Sequence, residues 1–256
     1  MTAWLVRGYL VLVYGLLYLP IGVLVVYSFN DAHTGYRWGG LSLRWYRALL
    51  DNGALLQAMA NSLLLAAAAA TLSTLIGTLT ALALHRYRFR GRRLLQGTLF
   101  MVMMAPDIVL AISLLALFLI AGVRLGFISL LLAHVTFCLP FVAITVAARL
   151  RGFDERLLEA AQDLGAHELT RMRTVLLPVI MPALLAGWLM GFTLSLDDVV
   201  VSTFVSGPDY EVLPLRIYSM VRVGLKPEVN ALGTLLLVFS LLMLTGSQLL
   251  LRRGTR

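Results

Sequence analysis

Residues 159–178 read EAAQDLGAHELTRMRTVLLP, a polar, glycine-punctuated stretch set between two long apolar runs, roughly 128–148 and 179–205. Residues 153–164 suit a short helix, Gly165 supplies the backbone freedom that a tight turn needs, and residues 167–176 suit a second helix. Pro178 then fits the opening of a third helix, where its missing N–H costs nothing. Glu159 and Asp163 lie four apart and share a face, while Ala160 and Ala161 let another surface approach closely. These features fit a knob for a groove in a partner, and charge and glycine alone fit an amphipathic linker equally well.

Working outward, the chain of 256 residues is 60% hydrophobic and 13% charged, too apolar for an ordinary soluble domain. Crossing ~30 Å of hydrocarbon takes about 20 apolar residues, and six runs qualify: 9–29, 58–84, 94–120, 128–148, 179–205 and 228–251. The expectation is an all-α polytopic membrane protein forming a single domain over 1–256, with 153–178 as a cytoplasmic loop within it. The first run is longer than a signal-peptide core and no small-x-small site follows Phe29, so it reads as a retained span.

Net charge of +8 suggests nucleic acid until its distribution is considered. With both termini inside, 14 of the 21 basic residues fall on the cytoplasmic side, among them Arg86 to Arg93 and Arg149 to Arg173. This positive-inside bias puts the Glu159 loop in the cytoplasm.

The outer loop 30–57 carries Trp38, Trp45 and Tyr46 and predicts a short interfacial helix; its tryptophans suit the headgroup region, and Trp45 also suits a cation entrance. Ala66 to Ala70, Gly77 and Ala81 form a small-residue face for helix packing. Pro106 breaks the third span immediately before Asp107, and residues 213–226, bounded by prolines, read as a short outer or re-entrant helix. His134 reads as a satisfied interior group without metal partners, and Cys138, the only cysteine, as a packed thiol.

Asp107, Asp197 and Asp198 fall inside apolar runs, where a charge costs ~2.5 kcal/mol or more and normally faces a water-filled path or a partner. No lysine or arginine in the spans neutralises them, which leaves a cationic cargo, a proton, a partner subunit or a capping role at a broken helix. Adjacent residues sit about 100° apart on a helix, so Asp197 and Asp198 face one point only if the helix is interrupted. The only lysine, Lys226, lies in no phosphate loop, and no nucleophile elbow or zinc motif is present. An enzyme is not indicated, and any ATP must be hydrolysed elsewhere.

Glu159, Ala160, Ala161, Gly165, Leu177 and Pro178 resemble the EAA loop of ABC-importer permeases, with Val175 where isoleucine is usual. Ser195 to Leu232, the Met104–Val109 stretch and the loop around Trp45 resemble the PotC-type permeases of spermidine/putrescine ABC importers, a likeness running nearly the whole chain. The resemblance implies a type I importer permease fold in a bacterial inner membrane, with a second, different permease, two ATPases carrying ATP and magnesium, and an extracytoplasmic polyamine-binding protein. It implies no cofactor in this chain. It also implies polyamine passage along Trp45, Asp107, Ser195, Asp197 and Asp198, with coupling through Glu159, Ala160, Ala161, Gly165, Glu168 and Pro178. The alternatives are a permease for another small organic solute and a proton-coupled secondary transporter.

Overall fold

The computed structural model describes residues 2–32, 37–223 and 227–253, with side chains for 4–32, 37–222 and 227–242. Gly35, Lys226 and Arg256 lie outside the described residues, as do the side chains of Arg252 and Arg253. Secondary structure among the described residues is helical apart from an isolated bridge between Asn30 and Leu41. The chain divides into two compact units, residues 58–215 and the remainder.

The unit built from the two ends of the chain contains α1 (Thr2–Ser28), α2 (Arg44–Asp51) and α12 (Pro227–Arg253). Helix α12 packs on both α1 and α2, with Gly233 giving room for Leu24. The turn after α1 is organised by buried Asn30, whose Oδ1 accepts from Gly39 N at 2.7 Å and whose Nδ2 donates to the Arg37 carbonyl at 2.7 Å. Such a network satisfies the polar backbone that the chain buries as it leaves the apolar segment.

Residues 58–215 hold most of α3 (Gly53–Arg86), then α4 (Arg92–Met104), α5 (Asp107–Ile120), α6 (Phe127–Arg151), α7 (Arg156–Asp163), α8 (Glu168–Arg171), α9 (Leu177–Asp197) and α10 (Val200–Val205). Helix α11 (Leu213–Val223) begins here. Small residues set the packing: a Cβ on Gly77 or Gly187 would stand 3.1 Å from Val142 Cγ1, and one on Gly191 would stand 3.3 Å from Ser73 Oγ. Without a hydrophobic drive between helices in lipid, this close approach is what lets α3, α6 and α9 gain dispersion contacts. Apolar clusters fill both ends, one around Leu114, Phe118, Leu130 and Val205 and the other around Val146, Leu150, Leu176 and Ile180.

Among the described residues, four helical stretches are long and apolar enough to cross a bilayer: Trp4–Ser28, Gly53–Arg86, Phe127–Arg151 and Glu168–Asp197. The expected third span is a bent pair, α4 and α5, meeting at 115° around Ala105 and Pro106. Pro106 lacks the N–H that would continue the ladder and biases Ala105 to extended backbone, seen as ψ 137. The expected final run falls on α12, whose side-chain description ends at Leu242.

Two expectations change. The helix placed at 167–176 is not separate from the next: α8 runs through a π turn, Met172–Leu176, directly into α9. The wider turn precedes Pro178, whose ring and missing N–H would otherwise disturb an α ladder at that point. The run 179–205 is likewise not one helix, because α9 stops at Asp197 and α10 starts at Val200.

Candidate functional site: a clamped helix break and an acidic groove

The break at Asp198 decides the chemistry of this end of the unit. Asp198 adopts extended backbone, ψ 122, and its side chain turns onto the following helix. Oδ2 accepts from Ser202 N at 2.7 Å and Oδ1 from Val201 N at 3.1 Å, so one carboxylate satisfies two of the amides that the start of α10 leaves unpaired. Its negative charge also complements the positive end of that helix.

His134, 1% exposed on α6, holds both sides of the break. Nδ1 is hydrogen-bonded to Ser195 Oγ on α9 at 2.7 Å, and Nε2 to Ser202 Oγ on α10 at 3.1 Å. Nε2 also lies 3.6 Å from Asp198 Oδ2. A single imidazole thereby ties the end of one helix to the start of the next. One turn further along α6, the Cys138 thiol donates to the Gly191 carbonyl at 3.4 Å, as suits a packed, unreactive cysteine.

Because the helix is interrupted between them, the adjacent aspartates serve different surroundings while bordering the same groove. Asp107, Phe137, Thr193, Leu194, Asp197, Asp198, Val199 and Val200 line a groove of about 330 Å³. Asp197 closes α9 and Asp107 opens α5; both are exposed, whereas the Asp198 side chain is 7% exposed. Asp107 owes its position to Pro106, which ends α4 and lets the acid sit at the positive end of a new helix. Three carboxylates, an aromatic ring and no basic side chain make a wall suited to a cation.

The remaining expected site residues lie elsewhere. Ser195 is buried against His134 rather than on the groove. Trp45 is in the other unit, 7% exposed, with its indole N–H donating to the Asn30 carbonyl at 2.7 Å. His134 is the satisfied interior group that its sequence setting suggests, and the structure adds its partners, Ser195 and Ser202.

In the Glu159 segment, α7 ends in Gly165 at φ +83. Ala166 N donates to the Ala161 carbonyl at 3.0 Å and Gly165 N to that of Gln162 at 2.8 Å, the paired bonds of a Schellman cap. Glu159 and Ala160 are exposed, and α7 buries none of its residues. Leu164 at 89% and Leu169 at 64% exposure add an apolar element to this surface. Arg86 holds Glu168 at 3.1 Å and His85 meets Glu155 at 3.4 Å, so the end of α3 braces the segment.

Residues 73–256 match the family model described as the binding-protein-dependent transport system inner membrane component. The chain belongs to this family. It is therefore an inner membrane component of a transport system and not an enzyme. Among curated proteins, this permease is 58% identical to the spermidine/putrescine transport system permease protein PotC of Escherichia coli, over 97% of this chain and 94% of the other. It is 44% identical to the putrescine transport system permease protein PotI of Escherichia coli, over 89% and 84%. Among solved structures, a bacterial ABC transporter involved in the import of the acidic polysaccharide alginate matches with a TM-score of 0.74 over 99% of this chain and 96% of that one. At 17% identity this shows a shared fold and nothing of cargo.

Proposed function

We propose that this permease forms half of the membrane pathway of an ATP-driven importer for polyamines, spermidine and/or putrescine. The observation that carries the reading is the groove bordered by Asp107, Asp197 and Asp198 with no basic side chain on its wall. The likeness to permeases of spermidine/putrescine and putrescine systems gives the same cargo class. The type I fold, six spans, cytoplasmic termini and a single permease domain over 1–256 form part of the proposal, with the α4–α5 pair as one broken span.

Asp107 and Asp197 are the carboxylates that meet the cargo. An ammonium about 4 Å from a carboxylate gains roughly 4 kcal/mol at a surface-like dielectric, which offsets part of its dehydration. Two exposed acids give a chain of amines successive sites it can leave, as transport requires. Asp198, Ser195 and His134 keep the wall in shape, and the Phe137 ring covers the alkyl segments. Trp45 acts from the outer loop by fixing the turn at Asn30.

A second, different permease completes the pathway, two ATPases carry ATP and magnesium, and an extracytoplasmic binding protein delivers polyamine. Glu159, Ala160, Ala161, Gly165, Glu168 and Pro178 belong to the surface that receives the ATPase motion, and the Arg86–Glu168 pair passes it to α3. The test is spermidine uptake by the assembled transporter carrying Asp107→Asn and Asp197→Asn together. Uptake should fall at least tenfold at unchanged ATPase assembly, and undiminished uptake would remove the groove from the pathway.

A further inference from the structure

A second cavity, about 250 Å³, lies between the end of α3, the start of α4 and the end of α6. Its polar wall carries His85, Arg92, Gln96 and Arg151, and Leu99 and Phe100 supply apolar wall. The one of these side chains with a carboxylate within 4 Å, among the described residues, is His85, beside Glu155. Among the described residues, the Arg92 and Arg151 guanidiniums have no carboxylate within 4 Å and make no side-chain hydrogen bond. Two permanent positive charges thus line one cavity without a carboxylate to neutralise them, and guanidinium forks match phosphate oxygens. Arg92 also opens the 13-residue α4, whose first amides add to the positive potential.

The cavity's flank selects among anions. Phe100 is 57% exposed, and its neighbours on α4, Met101 and Leu94, are 72% and 75% exposed. In an inner membrane component this apolar surface beside the charged cavity suits an amphiphile whose headgroup and tail need different surroundings. We propose that the cavity is a headgroup site for an anionic phospholipid, with its phosphate between Arg92 and Arg151 and an acyl chain along Leu99 and Phe100. His85 lines both this cavity and the one beneath the Glu159 segment, so an occupant abuts the part of α3 that braces the coupling loop.

The test is native mass spectrometry of the full chain released from detergent after equilibration with equal phosphatidylglycerol and phosphatidylcholine. Wild type should retain phosphatidylglycerol in preference, and Arg92→Gln with Arg151→Gln should weaken retention at least tenfold through the loss of charge-assisted hydrogen bonds to the phosphate. Arg88→Gln with Arg90→Gln, which removes two charges from the same loop outside the cavity, should leave retention within twofold. Equal retention of the two lipids by wild type overturns the proposal without reference to any variant. Equal losses in the two double variants would mean diffuse charge and no site. Displacement of the lipid by millimolar inorganic phosphate would make this a site for free phosphate, which also overturns it.

Discussion

Replacing Asp198 by asparagine separates the work of the two adjacent acids. The carboxylate accepts one bond at each oxygen, from Ser202 N at 2.7 Å and Val201 N at 3.1 Å. An asparagine keeps one acceptor oxygen and turns an NH₂ toward the other donor, so one charge-assisted bond is lost, about 1.5–3 kcal/mol in soluble hosts. The lost charge at the start of α10 removes a further ~0.3–1 kcal/mol. Polar contacts in membranes measure lower, averaging about 0.6 kcal/mol and reaching about 1.7. Weighing these, about 2 kcal/mol is expected, which at roughly 2–4 °C per kcal/mol lowers the unfolding midpoint by about 4–8 °C. Asp197 is exposed and makes no bond of this kind, so Asp197→Asn should stay within about 0.5 kcal/mol. Thermal unfolding of the purified chain in lipid nanodiscs, followed by tryptophan fluorescence, reads both. Asp198→Asn at the wild-type midpoint, with Asp197→Asn lowered instead, would refute the division of labour.

Three other outcomes follow from single contacts. Gly165→Ala places a Cβ at φ +83 and should cost about 1–2 kcal/mol in the loop, seen as roughly tenfold faster hydrogen exchange at the Ala166 amide. Gly187→Ala should lower stability by about 1–3 kcal/mol through overlap with Val142, and adding Val142→Ala should recover part of that loss in the same unfolding assay. Trp45→Phe removes the donor to the Asn30 carbonyl and should destabilise by about 1 kcal/mol without changing the KM for spermidine.

The apolar runs were legible because membrane-crossing length is a strong constraint, and the break at Pro106 because proline removes an amide. The Gly165 turn was legible for a similar reason: a glycine after an amphipathic segment marks where left-handed backbone is wanted. The second break was legible only as one alternative, a capping role for the aspartates at a broken helix, which Asp198 fulfils. Asp197 and Asp198 sit within a run that looks continuous, and the capping of α10 by Asp198 depends on amides three and four residues later. His134 was legible as a satisfied interior group, but its partners were not, because Ser195 lies 61 residues away and meets it only through tertiary packing. The run-on from α8 to α9 was missed because a π turn before proline has no distinctive composition. Trp45 looked like an interface or cargo residue by type, and its burial depends on the Asn30 turn that side-chain chemistry alone does not reveal.

The most direct measurement is polyamine uptake into proteoliposomes holding this permease with a partner permease, ATPase and binding protein, comparing wild type, Glu159→Lys and wild type without ATP. Glu159 is exposed on α7, so the substitution leaves packing intact while reversing charge on the proposed coupling surface. The account predicts uptake that requires ATP and is lost in Glu159→Lys with the complex still assembled. Uptake that proceeds without ATP and collapses with a protonophore would contradict it.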